Sequence, residues 1–409
     1  MSRGMPEAAL PPPSADAAAH SARLVAALRE RLADQPFLPF DEYMQHVLYA
    51  PGLGYYAAGS AKLGPDGDFI TAPEISPLFG AAIAAAVAPV LERLGEQAAL
   101  LEYGAGSGAL AVAVLTALAD ADRLPARYSI VEVSPDLRAR QQQQIATLPP
   151  PLRARVQWLD RPPGSCFRGV VLANEVLDAM PVVRFVIDAS APEGILEEGV
   201  EAAQAPSPPA AGQALRLSLR PARAAVVAAV RELESTLPEP LPDGYCSEIA
   251  PRRDAWLETA AGGLEAGLML LIDYGLGARE YYAPERRDGT LICHYRHRAH
   301  ADPLFYPGLQ DLTAWVDFSA IAAAARGAGL AVTGFTTQAG FLLGNGIDAL
   351  AGVAFERATS EAARARLASG LRTLLLPGEM GERFRVLALH RGEQIEVRGF
   401  AAPDLLRTL

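Results

Sequence analysis

From Ser21 onward the apolar residues Leu24, Val25, Leu28 and Leu32 recur at helical intervals, which predicts an amphipathic helix ending before Pro36. A second helix is predicted over 39–48. Gly52, Gly54, Gly59, Gly64, Pro65, Asp66 and Gly67 then crowd one loop, a length of turn-forming chain that is usually functional or disordered. Ser76 before Pro77 reads as an N-cap with proline at the first helical position, opening an apolar helix to about Leu94 with a kink at Pro89.

From residue 98 the pattern changes to short apolar runs alternating with helical stretches, the mark of βαβ units. Strands are predicted at 99–103, 128–133, 156–159, 169–173 and 268–273. Their near-continuous apolar character suits parallel strands buried on both faces. An interruption over 182–263 carries a Pro/Ala linker at 203–212, strands near 183–187 and 214–219 and a helix over 222–237. It reads as an insertion outside the central sheet, a substrate or partner region. Late strands at 335–338 and 384–390 are placed to close the sheet as an antiparallel pair. The expected organisation is therefore a disordered tail (1–20), a helical segment with a covering loop (21–95), and an α/β core (96–181 and 264–395) split by the insertion.

Composition narrows the function. Half of the 409 residues are hydrophobic, and 36 basic against 47 acidic side chains give a net charge of −11, so a phosphate backbone is repelled and nucleic acid is excluded as an expected partner. Lys62 is the single lysine, so individual arginines carry little information. Cys166, Cys246 and Cys293 are odd in number and far apart, which gives neither a disulfide framework nor a Cys-x-x-Cys metal site and points to a reducing cytoplasm. The N-terminus lacks the basic and apolar regions of a secretion signal, and no apolar run of about 18 residues is free of both charge and proline, so membrane insertion is not expected.

The strand at 99–103 runs into Gly104-Ala105-Gly106-Ser107-Gly108 and then a helix, a turn that brings a ligand against the backbone at a helix N-terminus. Ala109 satisfies the last position of the dinucleotide fingerprint, so the glycines alone leave a nicotinamide-dependent oxidoreductase open. Glu102 favours a different ligand. A carboxylate there repels a pyrophosphate but suits the cationic amino-acid end of S-adenosylmethionine. Glu132, ending the second strand, is placed to accept both ribose hydroxyls of an adenosine. Asp160, after the third strand, reads either as the acceptor of the adenine amino group or as a surface turn residue.

The fourth strand ends in Asn174-Glu175-Val176-Leu177-Asp178, polar groups delivered to the carboxyl edge of the sheet where ligands bind. Glu175 and Asp178 could grip a guanidinium by charge-assisted bonds; the alternative is a helix start capped by Asn174. Asp273 and Tyr274 are weaker candidates for the rim. His294, His297 and His300 stand at intervals of three, but Pro303 and Pro307 indicate an extended loop, read as a substrate groove or lid in preference to a metal site. Tyr306, Trp315 and Phe318 read as core.

With these blocks, together with Tyr55-Tyr56, residues 67–76, Ile272-Asp273-Tyr274-Gly275 and residues 312–318, the chain resembles the MidA-like class I methyltransferases over roughly 39–390. That family includes the mitochondrial arginine methyltransferase that assists assembly of NADH:ubiquinone oxidoreductase. The resemblance implies a seven-stranded, mostly parallel Rossmann-like sheet with helices on both faces. It also implies residues 67–76 folded over the cofactor, which brings in Thr71 and Glu74. The expected cofactor set is Thr71, Glu74, Glu102, Gly104, Gly106, Gly108, Glu132 and Asp160 around S-adenosyl-L-methionine. In the catalytic reading Glu175 and Asp178 localise charge on an acceptor arginine and take up its proton, while Asn174 positions the reactants. The implied partner is an arginine-bearing protein such as a respiratory-complex subunit; a homodimer is compatible with the sequence. A non-catalytic assembly factor that kept the fold is the reading from another class.

Overall fold

The computed structural model describes residues 10–58, 70–164, 166–203 and 214–409. Most of the predicted turn-rich loop, the first residues of the covering segment (67–69) and the Pro/Ala linker lie outside this set. Seven strands make the central sheet: β1 (Ala99–Tyr103), β2 (Tyr128–Val131), β3 (Val156–Leu159), β4 (Phe167–Asn174), β5 (Leu264–Leu276), β6 (Ala331–Thr337) and β7 (Phe384–Arg391). Their order is β3-β2-β1-β4-β5-β7-β6, with a two-residue strand, Val316–Asp317, alongside β5. Pairing is parallel from β3 to β5, and β7 runs antiparallel to both its neighbours. The switch point therefore lies between β1 and β4, and a doubly wound sheet opens its ligand crevice at the carboxyl ends of those strands.

The apolar runs bury both faces. On one face Pro77–Leu94 and Ala109–Asp120 pack through Phe79, Ile83, Val87, Val114 and Leu115 onto Leu100, Val170 and Leu270. On the other, Pro251–Gly262 and Phe318–Gly327 cover Leu101, Val171 and Leu271 through Leu257, Ala261 and Ile321. Pro77–Leu94 is long and apolar enough to cross a membrane, but its apolar side chains are spent in this core. Gly169 and Gly267 let β1, β4 and β5 approach: a Cβ at Gly169 would lie 1.8 Å from the Ala99 carbonyl oxygen, and one at Gly267 1.9 Å from that of Gly169.

β5 and β6 each begin four residues earlier than the apolar runs indicated, and two further boundaries differ from expectation. The first helix runs Ala15–Asp34, because the Ser14 hydroxyl accepts from Ala17 N and caps it six residues earlier than periodicity indicated, so 15–20 are helical rather than a tail. Residues 1–9 lie outside the described set. Pro251–Gly262, expected within the insertion, is a covering helix of the central sheet.

A second antiparallel sheet joins Val183–Ile187, Ile195–Ala202, Leu215–Pro221 and Cys246–Ile249 to Leu38–Pro39 from the N-terminal segment. The histidine segment is not an extended loop. Ile292–Tyr295 and Arg298–His300 form a hairpin whose turn residues Arg296 and His297 both have positive φ (48° and 60°), and Asp311–Thr313 pairs on its other side. Among the described residues no cluster of three or more His, Cys, Asp or Glu is arranged to hold a metal.

Candidate active site

A cleft of 1510 Å³ opens at the carboxyl edge of β1, β2 and β4. Single-ligand pockets run from about 300 to 1,000 Å³, so it has room for two reactants. One half is built on the glycine turn. Gly104, Gly106 and Gly108 hold φ of 62°, 54° and 87°, and a Cβ on Gly104 would meet the Val176 side chain at 2.8 Å. Gly104 and Gly106 line the cleft; Gly108 instead caps the helix Ala109–Asp120.

Glu102 lines the floor of this half, 2% exposed, its Oε2 accepting from the Tyr128 hydroxyl at 2.7 Å. Burial pushes its carboxyl up to about 7, with the Tyr128 bond opposing and the Glu132 charge adding. A cation seated against it restores the carboxylate. Glu132 is fixed by Ser134 N (2.8 Å to Oε1) and Gln141 Nε2 (2.8 Å to Oε2). Burial raises its pKa, and these bonds oppose the rise. Gln141 also donates to Gly106 O at 3.1 Å and accepts from Trp158 Nε1 at 3.0 Å, locking Glu132 to the glycine turn. Sequence reasoning missed this residue: a glutamine on a polar helix face carries no signal until Glu132 and the turn are seen beside it.

The residues present fit S-adenosylmethionine. Each Glu132 oxygen keeps lone pairs for a ribose diol beyond its protein bond. Beside it Val133 is 75% exposed, an apolar platform for a planar base, and the Asn174 Oδ1 is buried with no hydrogen-bond partner. Thr71 lines the cleft; Glu74 does not, its Oε2 accepting from Thr71 N and Oγ1 to cap the short helix Ala72–Ile75. Asp160 does not line the cleft; it is at the surface, its side chain 85% exposed and bonded to Arg138 Nη1 at 2.5 Å. Asp160→Ala accordingly leaves S-adenosylmethionine affinity within about twofold of wild type by calorimetry; a tenfold loss would restore the adenine contact.

The second half begins where β4 ends. Residues 175–181 form an irregular turn and no helix starts there, so capping does not explain the polar block. Glu175 sits at φ 54°, a conformation that costs a non-glycine residue of order 1–3 kcal/mol, and its N–H donates to Ile272 O at 2.9 Å. Its Oε1 accepts from Asn174 Nδ2 at 3.0 Å and from Ala72 N at 3.3 Å, tying the 71–76 segment to the floor. Burial, reinforced by the nearby Asp178 charge, pushes the Glu175 carboxyl up to about 8. Asp178 is raised by burial as well, its Oδ1 has no hydrogen-bond partner, and the Tyr274 hydroxyl bonds to its carboxylate.

Asp273, expected at the rim, lies beneath the cleft, 1% exposed. Its Oδ2 accepts from Leu177 N (2.9 Å) and Asp178 N (3.2 Å). Arg253, also missed from sequence, braces the same turn by donating to the carbonyls of Leu177, Trp315 and Ala314 at 2.7, 3.1 and 3.0 Å. Tyr274 does line the cleft, and so does Trp315, read beforehand as core; Phe318 is fully buried. Tyr49, Tyr56 and His294 complete the wall facing Glu175.

Residues 82–336 match a family model described as "Putative S-adenosyl-L-methionine-dependent methyltransferase". The mouse protein arginine methyltransferase NDUFAF7, mitochondrial, is 31% identical over 85% of this chain and 80% of its own length; the human protein of that name is 31% identical over 85% and 79%. A crystal structure from Burkholderia thailandensis bound to S-adenosyl-homocysteine superposes with a TM-score of 0.88 at 42% identity, covering 98% of this chain and all of that one. Sheet order, glycine turn and two-part cleft thus agree with the comparisons, which favour the methyl-donor reading over the nicotinamide one: the chain belongs to the S-adenosyl-L-methionine-dependent methyltransferase family.

Proposed function

We propose that the protein methylates an arginine side chain of a partner protein. The observation that carries this reading is the pair Glu175, half-buried, and Asp178, buried, two carboxyls with raised pKa values lining the cleft, one with an unpartnered oxygen. Such a pair is unstable as two anions and is completed by a cation with donors on two sides, the description of a guanidinium. The curated relatives carry the name protein arginine methyltransferase, which supports the same acceptor.

Glu102, Gly104, Gly106, Glu132 and Asn174 would hold S-adenosylmethionine, which supplies an electrophilic methyl group. The chain's own residues then have three tasks. Glu175 and Asp178 localise charge on one terminal nitrogen, which is otherwise a poor nucleophile because its lone pair is delocalised. Asp273 and Arg253 hold the turn so that this nitrogen is presented in line, where orientation supplies most of the rate. Glu175 accepts the released proton, for which a carboxyl titrating near neutrality is suited.

The test is incubation of the purified protein with S-adenosylmethionine and arginine peptides, read by mass spectrometry, with lysine replacing arginine as the control. Methylarginine in the first set alone is the expected result; modification of hydroxyls or carboxyls instead would overturn the assignment. A respiratory-complex subunit is the first protein partner to try. The cytoplasm remains the proposed compartment, although the named relatives are mitochondrial; Cys166, Cys246 and Cys293 are free thiols, as in any reducing compartment.

A further inference from the structure

We propose that Asp311 is the specificity-determining carboxylate of the acceptor half, selecting a side chain with a delocalised cation before it reaches Glu175 and Asp178. The proposal rests on the arginine reading above and adds to it a residue outside the methyl-transfer machinery.

Asp311 is 2% exposed and yet lines the cleft. It stands on the strand Asp311–Thr313, in register opposite His294. The Tyr56 hydroxyl donates to its Oδ1 at 2.9 Å; Tyr56 stacks on Tyr49 (centroids 5.5 Å apart, planes at 22°), and the Tyr49 hydroxyl donates to Ala179 O at 2.9 Å. On the other side Thr313 shares Asp311's face of the strand, about 7 Å further in. The Tyr274 hydroxyl, near Thr313, bonds to Asp178. The result is a wall running from the Asp178 turn through Tyr49 and Tyr56 to Asp311, with Thr313 and Tyr274 lining the same cleft.

Burial raises the pKa of all three tyrosines, so they stay neutral and offer ring faces and hydroxyls beside the carboxyl groups. Ring faces with a carboxylate in the same cleft as Glu175 and Asp178 are what a guanidinium binds. A neutral amide of the same shape gains neither attraction. The bond from Tyr56 does not need the charge, since an asparagine oxygen accepts it equally; Asp311→Asn therefore removes the anion and keeps that bond.

The experiment titrates wild type, Asp311→Asn and Tyr56→Phe with three synthetic peptides in the presence of S-adenosylhomocysteine. The peptides are identical except for a central arginine, lysine or citrulline, the last a neutral near-isostere of arginine. Wild type is expected to prefer arginine over citrulline at least tenfold, and Asp311→Asn to lose most of that preference. In turnover the same variant is expected to raise KM for the arginine peptide at least tenfold with kcat near wild type, S-adenosylhomocysteine affinity and Tm being unchanged. Tyr56→Phe, which retains the charge, is expected to keep the preference. An unchanged preference or KM in Asp311→Asn overturns the proposal and leaves arginine transfer standing, and so does a joint fall in cofactor affinity and Tm, which marks a structural role. Lysine bound tighter than arginine overturns the delocalised-cation assignment. Selective binding that depends on Asp311, without methylation, upholds the proposal and removes the transfer reading. Equal binding of arginine and citrulline by wild type overturns the proposal.

Discussion

Glu175→Gln is expected to lower kcat by about 10²–10⁴-fold while S-adenosylmethionine affinity stays within about threefold of wild type. The amide keeps the shape and can still accept from Ala72 N and Asn174 Nδ2, so the lost quantity is the charge on the acceptor and the site for its proton. The same substitution is expected to stabilise the ligand-free protein. The Glu175 carboxyl has its pKa raised to about 8 from 4.5, so the folded state binds its proton more tightly than the unfolded chain does. The contribution of this group is fully present below about pH 4.5 and is lost as pH rises through about 8. A permanently neutral glutamine avoids that loss, and above pH 8 the variant gains of order a few kcal/mol. Thermal melts at pH 5 and pH 9 without cofactor check this: the Tm advantage should appear chiefly at pH 9. A variant that melts lower at pH 9 would show Glu175 to be an ionised structural anchor. Loss of cofactor affinity together with kcat would make it a cofactor ligand.

The second large effect concerns Gly106→Val, expected to weaken S-adenosylmethionine binding by about 100-fold or more in calorimetry. Gly106 lines the cleft at φ 54° and its carbonyl is held by Gln141, so a branched side chain is added to a turn pinned from behind. A left-handed conformation costs a β-carbon residue about 1–2 kcal/mol, which a domain of this size survives. The larger loss is the ligand's close approach to the backbone. Gly106→Ala, smaller and less strained, should lose less affinity at a Tm near wild type, separating a blocked site from a damaged fold. Wild-type affinity in both variants would remove the glycine turn from the cofactor site. Tight binding by the wild type with no transfer to any arginine peptide would instead turn attention to the non-catalytic scaffold.

The sheet was legible because buried parallel strands are written as local apolar runs, and the glycines of 104–108 because a tight turn constrains residue type at each position. Glu102, Glu132, Asn174 and Glu175 were legible by adjacency to those strands. What escaped depends on partners distant in sequence. Asp273 was read at the rim because it ends an apolar run; its role as acceptor for Leu177 N and Asp178 N needs the parallel pairing of β4 with β5. Arg253 was hidden among many arginines. The hairpin at 292–300 turns on Arg296 and His297, not on the asparagine or glycine that advertises a two-residue turn. Asp160 read either as a ligand or as a turn residue by its place after a strand; its bond to Arg138 could not be read from local pattern.

The long reach of the N-terminal segment has a consequence during synthesis. Its first parts leave the ribosome early, yet Ser21 bonds to the carbonyl of Pro307, Tyr43 to that of Pro303 and Tyr56 to Asp311, spans of 286, 260 and 255 residues. Translation at about 5–20 residues per second leaves these groups without their partners for on the order of tens of seconds. Leu24, Phe40 and Val47, each 1% exposed or less in the finished protein, pass that interval uncovered. The nascent N-terminal segment is therefore where a chaperone is needed most, and where slowed translation should most reduce the yield of folded protein.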